Sequence, residues 1–256
     1  MNLSSLPVWA ELSIFIAATI AAVLAVYAIS RRMFARHAGE ETQTLAGSVI
    51  FRIAALHSLI LALVFAQEQI NYSSLRASIV TESDAVADIY NDLIRYDAEV
   101  TVEIRRAVLE YTREAAGPEW KMLASGTLSA KAWQSWEEVY QGVLNLEPQT
   151  KRQEWLHDNM RGDIDTISDT RTSRELAAVG SVTDLFWIAA VGGLLLVVVP
   201  YFTFAPTVLH LVLLTIFATF NGLILFFIAA LSNPYAEPEA LEPLAFERLV
   251  NTLSTE

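Results

Sequence analysis

Four stretches of the chain are nearly free of polar side chains. The first, residues 12–29, carries no charge and is about as long as a bilayer crossing requires, because a helix rising ~1.5 Å per residue needs roughly 20 residues to span the hydrocarbon. No basic residue precedes it, whereas Arg31, Arg32 and Arg36 follow it. That order is the reverse of a signal peptide's, so the segment is expected to stay as span one. Residues 49–66 form a second, less pure span containing Arg52 and His57. Two more, residues 183–200 and 207–231, are joined by a charge-free turn with Pro200 and Pro206, which predicts a tight membrane hairpin.

Between spans two and three the pattern changes to amphipathic. Neither Gly nor Pro occurs between Gly47 and Gly117, so span two is expected to continue without interruption into the first helix of a hydrophilic region. Ile79, Val86, Leu93, Val100 and Ala107 recur at seven-residue steps, with Ile89 and Tyr96 filling the stripe opposite an acidic face of Asp84, Asp88, Asp92 and Glu99. Gly117-Pro118 ends that helix and starts a short one that stops near Gly126. A helix over 129–146 should turn Trp133, Trp136, Val139, Tyr140 and Val143 to one side. A longer one over 149–176 should turn Trp155, Met160, Ile164 and Ile167 inward. Trp120, Trp133, Trp136 and Trp155 form the expected aromatic mass of the bundle.

The fold class expected is therefore an all-α membrane protein, with four transmembrane helices and a helical extramembrane domain inserted between spans two and three. Residues 1–66 would hold spans one and two, 67–182 the acidic helical domain, 183–231 the hairpin of spans three and four, and 232–256 a C-terminal tail. Composition agrees: 54% of residues are hydrophobic and only 18% charged, too apolar for an ordinary soluble domain of this size. A net charge of -12 without a polybasic segment excludes a nucleic-acid partner. The absence of cysteine removes disulfides, thiolate metal sites and cysteine nucleophiles, and the four histidines have no metal-ligand spacing. Asp163, Asp165 and Asp169 have a suggestive spacing, but the rest of a calcium loop is missing and an acidic helix surface accounts for them. No catalytic fingerprint is present, so neither enzymatic activity nor a cofactor is expected.

The candidate chemistry lies in the spans. Arg52, near the start of span two, can snorkel to the interface, or bias a permeation path toward anions if it faces a lumen. His57, near the middle, is either a neutral imidazole held by a neighbouring helix, the preferred reading, or a pore-lining, pH-responsive group. Asn221 is expected to bond between helices. Arg52, Leu56, Leu59, Leu63 and Gln67 follow three-and-four spacing and put an apolar neck between polar ends on one face. That face suits a dewetting constriction and suits packing on spans one and four equally. Arg52 and His57 both need shelter from lipid, which predicts a homo-oligomer. Three arginines in the loop after span one assign that loop to the cytoplasm and, by parity, the large domain to the outside. Arg76, Arg171 and Arg174, taken as near-membrane flanks, weaken that vote.

In their order along the chain, several features resemble the bestrophin-like family known as domain of unknown function 4239. They are Gly47 before a span ending at Phe65, then Tyr72, TESDAVADIYNDL with Glu82, Ala85 and Tyr90, and RRAVLEYTREAAGPEW with Tyr111, Glu119 and Trp120. Arg171 and Arg174 before span three, Trp187, and the late NPYAEPEALEPLAF complete the set. The family's Pro-Phe-x-Gly is here Pro234-Tyr235-Ala236-Glu237. The resemblance implies a pentamer in the lipid bilayer, in this case a bacterial inner membrane, around a central pore lined by span two. It also implies a permeant inorganic ion and, against the arginine vote, a cytoplasmic helical domain. A non-conducting scaffold or sensor that signals through the helical domain is the alternative. Arg52 and the acidic vestibule pull selectivity in opposite directions, so the sequence leaves the ion open.

Overall fold

The computed structural model describes residues 7–97, 99–180 and 182–255. Among these, the chain forms nine α-helices and no strand: α1 (Val8–Phe34), α2 (Glu40–Asp97), α3 (Val102–Ala116), α4 (Pro118–Ala124), α5 (Ala130–Leu144), α6 (Lys151–Ala178), α7 (Asp184–Val198), α8 (Val208–Leu231) and α9 (Leu244–Leu253). Four segments are long and apolar enough to cross a membrane: Val8–His37, Glu40–Asp97, Asp184–Thr203 and Val208–Leu231. The described residues divide into two compact units, one from Met1–Ile70 and Ser181–Ser232, the other from Asn71–Gly180 and Asn233–Glu256. Helix α2 gives residues 40–70 to the first unit and 71–97 to the second.

In the first unit, α1 and α8 pack most closely around Gly222. A Cβ there would stand 3.1 Å from the Thr19 hydroxyl and 3.3 Å from the Ile16 backbone, so any larger residue would have to push α1 back by a few tenths of an ångström. Val23, Ala190, Leu194, Leu214, Ala218 and Ile228 fill the space between the helices. The turn between α7 and α8 is tied back to α1 by polar groups. Arg31 donates to the carbonyls of Phe202 at 2.7 Å and Phe204 at 2.9 Å, and the Tyr27 hydroxyl donates to Phe204 at 2.9 Å. These bonds satisfy carbonyls that the one-turn 3-10 stretch over Val199–Thr203 leaves without helical partners. Arg31, one of the three arginines in the orientation vote, is thus committed to an internal structural bond.

In the second unit the amphipathic stripe of α2 is buried as expected at Ile79, Val86, Ile89, Leu93 and Tyr96. It meets Val108 and Tyr111 of α3, Trp136, Val139 and Val143 of α5, and Leu156, Met160, Ile164 and Ile167 of α6. The uninterrupted helix ends sooner than the glycine and proline positions suggest. The Asp97 carboxylate accepts from the amides of Glu99 at 2.9 Å and Val100 at 3.1 Å, offering the backbone a turn in place of the helical ladder. Thr101 then donates its hydroxyl to Leu93 O at 2.9 Å and Asp97 O at 2.6 Å, closing the orphaned carbonyls. As a result Val100 sits in the turn, 66% exposed, and leaves the stripe.

Two further expectations are corrected by helical phase. Trp155 is 63% exposed, because α6 turns Leu156 inward and every later core position follows from that residue. Trp133 is 42% exposed at the edge of α5, while Trp136 and Trp120 are buried. Capping fixes where two of these helices begin. Ser129 accepts from Ala132 N, and Thr150 and Gln153 form a reciprocal capping box at the start of α6. The last residues contain a helix that the sequence reading left as tail: α9 buries Phe246, Leu249 and Leu253 against this unit's core.

Leu93→Ala should destabilise the protein by about 2–5 kcal/mol, since Leu93 is fully buried, whereas Val100→Ala should stay within ~0.5 kcal/mol. Denaturant melts of both variants check this, and equal losses would contradict the helix end at Asp97.

Candidate functional site

Two arrangements are candidates for function: the outward face of the second span and a buried cluster of charges. In the first unit, α2 has a buried side and an exposed one. His57, Leu61 and Glu68 are buried, while Arg52, Leu56, Leu59, Leu63 and Gln67 are all exposed within the chain. Leu56 at 64%, Leu59 at 55% and Leu63 at 63% exposure show that this face does not pack on spans one and four of its own chain. Only 11% of the most apolar window of α2 is buried, against 39% for α8.

His57 lies on the other side of the helix, 4% exposed, with its ring against α7. A Cβ at Gly193 would stand 2.6 Å from Nδ1, so that glycine makes the room the imidazole occupies. Asn221 donates to Phe217 O at 2.9 Å within its own helix, and its side chain also meets His57. His57 and the exposed leucines therefore occupy different surroundings, although they alternate in sequence.

The second arrangement is at the centre of the second unit. Arg171 and Arg174 of α6, Glu82 of α2 and Glu119 of α4 are all completely buried. Arg174 grips Glu82 with two parallel bonds, Nε to Oε2 and NH2 to Oε1, each 3.1 Å, and reaches Glu119 Oε2 at 2.8 Å. Arg171 donates to the other Glu119 oxygen at 2.6 Å and lies 3.1 Å from Glu175. Each carboxylate thus has a cation on it, and Glu119 bridges both. The Tyr111 hydroxyl donates to Glu82 and receives Arg171 NH1 at 3.4 Å. The Tyr235 hydroxyl donates to the Arg174 carbonyl at 2.9 Å.

Aromatic rings close the cluster. The Arg171 guanidinium sits 4.7 Å from the Trp133 ring centre and 5.6 Å from Tyr111, and that of Arg174 lies 5.5 Å from Phe246 and 5.9 Å from Trp120. Burial, reinforced by the Glu82 charge, pushes the Tyr111 phenol far up, so it remains a donor. Burial works against the charge on Arg174, but Glu82 and Glu119 more than offset it and raise its pKa well above the ordinary value.

Sequence reasoning placed Arg171 and Arg174 at the membrane flank, and the structure corrects this: both are in the core. The signal was their phase. Leu156, Met160, Ile164, Ile167, Arg171, Arg174 and Ala178 follow one three-and-four rhythm along α6, and all are buried. On α2 the same rhythm runs Leu75, Ile79, Glu82, Val86, Ile89 and Leu93, with Glu82 at a core step. A charge in core phase must find a counter-charge, and two helices each carrying one pointed to each other. Elsewhere, Asp165 and Asp169 are exposed and Asp163 half-buried. Among the described residues, no three His, Cys, Asp or Glu side chains are grouped to hold a metal ion.

Comparisons with known proteins bear on the family and the fold. The family model of the bestrophin-like domain matches residues 17–246. No curated protein matches the chain. Among solved structures, a point variant of a bacterial bestrophin homologue from Klebsiella pneumoniae is similar in fold. It has a TM-score of 0.60 and 12% sequence identity, and the match covers 96% of this chain and 98% of that one.

Replacing Glu119 by Gln keeps the shape but removes the charge that Arg171 and Arg174 share, leaving Arg174 to Glu82 and Arg171 to Glu175, and should cost on the order of 3–5 kcal/mol. The exposed pair Arg106–Glu103, 2.9 Å apart, should cost at most ~0.5 kcal/mol when broken by Glu103→Gln. Chemical denaturation of the two variants checks the contrast. A small loss in Glu119→Gln would mean that the cluster holds nothing together.

Proposed function

The chain belongs to the bestrophin-like family, and on that premise we propose that it is a subunit of an oligomeric ion channel whose central pore is lined by the second membrane span. The observation that carries this reading is the outward face of α2. A span-length helix that leaves Arg52, Leu56, Leu59, Leu63 and Gln67 exposed carries at Arg52 a charge that needs water or protein around it. Copies of the chain arranged about an axis meet that need, with the three leucines as a neck that excludes ions by dewetting and the polar residues at its two mouths. A pentamer in the bacterial inner membrane, with residues 67–182 as a cytoplasmic domain between spans two and three, is the assembly favoured by the family. The permeant species is an inorganic ion. His57, buried within the subunit, has its place against α7 and takes the structural role in this scheme.

The competing reading, a scaffold or sensor that does not conduct, differs in what surrounds the leucine face: lipid or packed protein in place of water. Leu59→Ser and Leu63→Ser, each placing a hydroxyl in the neck, should raise basal ion flux in reconstituted liposomes several-fold. Cysteines introduced at the same positions should react with water-soluble thiol reagents; the chain has none of its own to compete. Unchanged flux together with unreactive cysteines would remove α2 from the pore wall and leave the scaffold reading.

A further inference from the structure

In the second unit, a groove of about 630 Å³ runs between α2 and the C-terminal segment over residues 240–252, a size typical of small-molecule sites. Each wall brings one charge of each sign: Arg76 and Asp84 from α2, Glu242 and Arg248 from the C-terminal segment. All four side chains are exposed, and among the described residues none of them is ion-paired. Ile79, Leu241 and Leu249, all buried, give the groove an apolar floor. Two further features leave polar groups waiting for a partner. Ser83 lines the groove and is only 6% exposed, yet its hydroxyl meets no hydrogen-bond partner among the described residues. Thr81, two residues earlier, bonds back to the Ala77 carbonyl at 3.2 Å, the usual outlet for a hydroxyl on a helix. Helix α9 opens on the groove at Leu244 and Ala245, and its N-cap Pro243 supplies no side-chain bond to the first-turn amides. Those amides, with the positive end of the helix, favour an anion. Glu247, the acidic residue of that turn, lines a separate groove beside Arg113.

We propose that this groove binds the headgroup of phosphatidylethanolamine, with the lipid phosphate on Arg76, Arg248 and the first turn of α9 and the lipid ammonium on Asp84 and Glu242. Two arginines and a run of free amides match the oxygens of a phosphate, which a carboxylate ligand would satisfy only in part. The two carboxylates reject a purely anionic ligand and match a cation carried on the same molecule. Ser83 supplies a hydroxyl to the phosphate or to the glycerol oxygens, and the apolar floor takes the hydrocarbon that follows them. The bilayer is the source favoured over a soluble compound because Tyr72, the first lining residue of α2, follows closely on the second span of residues 49–66. Tyr72 stands within electrostatic reach of Arg76 and of Glu239, a further carboxylate of the C-terminal segment at that end. A bound lipid ties the C-terminal segment to α2. The site rests on the chain's place in a membrane and not on conduction.

Thermal melting of the full-length protein in mild detergent, with dilauroyl phosphatidylethanolamine mixed into the micelles, tests the site. Lipid at about 100 times its dissociation constant should raise the melting temperature of the wild type by roughly 5–10 °C. Arg76→Gln and Arg248→Gln change exposed side chains, so both should melt near the wild type without lipid and lose most of the shift. Ser83→Ala should need several-fold more lipid for the same shift. Arg106→Gln, an exposed change outside the groove, should keep it in full. Dilauroyl phosphatidylglycerol, which lacks the ammonium, should shift the wild type less, and Asp84→Asn should narrow that preference. Free phosphoethanolamine at the same concentration should do little. No shift with phosphatidylethanolamine, or a shift that survives in both arginine variants, would overturn the site. An equal shift with phosphatidylglycerol would overturn the pairing of the ammonium, and an equal shift with free phosphoethanolamine would overturn the bilayer as the source.

Discussion

Four buried charges, Glu82, Glu119, Arg171 and Arg174, set the terms for the second unit. Taking any one of them out of water is costly, and the bidentate Arg174–Glu82 contact, the Glu119 bridge, the Glu175 carboxylate beside Arg171 and the Tyr111 hydroxyl on Glu82 offset that cost. The requirement is geometric. α2, α4 and α6 must present their charges at one point, and the C-terminal segment must bring Tyr235 and Phe246 to it. Apolar packing around Leu93, Val139 and Met160 would accept several helix registers, whereas an unpaired buried guanidinium accepts none.

This gives a physical meaning to the resemblance seen in the sequence. Glu82, Tyr111, Glu119, Trp120, Arg171, Arg174 and the tyrosine of NPYAEPEALEPLAF are scattered over more than half of the chain, yet all of them belong to one cluster of contacts. For these residues, order along the chain carries specificity because the fold brings them to one place, while Gly47, Phe65 and Trp187 of the same resemblance belong to the first unit. Their role in this unit is to fix helix register, and the exposed face of α2 is left to carry the proposed permeation chemistry.

Much of the fold was readable from periodicity. The four spans, the breaks at Gly117-Pro118 and Gly126, and the inward stripe of α2 follow from hydrophobic phase and backbone limits. What escaped reading depended on side-chain chemistry at single positions. Asp97 ends α2 by bonding the next amides, which no glycine or proline announces. Trp155 is expected inward on one face with Met160, Ile164 and Ile167, although the phase set by Leu156 and Met160 turns it outward. Arg31, Arg171 and Arg174 were counted as topological charges, and each is also engaged in an internal bond that counting does not reveal. The leucine face of α2 follows from spacing, but spacing does not reveal that the rest of the chain leaves it uncovered.

A double-mutant cycle on Arg174 and Glu82 tests the register-fixing role most directly. Glu82→Gln and Arg174→Met, alone and combined, would be compared by chemical denaturation of the full-length protein in mild detergent. Glu82→Gln takes from Arg174 its bidentate partner and leaves it to Glu119, and Arg174→Met takes the cation off Glu82, so the combined loss should fall short of the sum by about 2 kcal/mol or more. Losses that simply add would contradict the coupling, and with it the claim that these buried charges hold α2 and α6 in register.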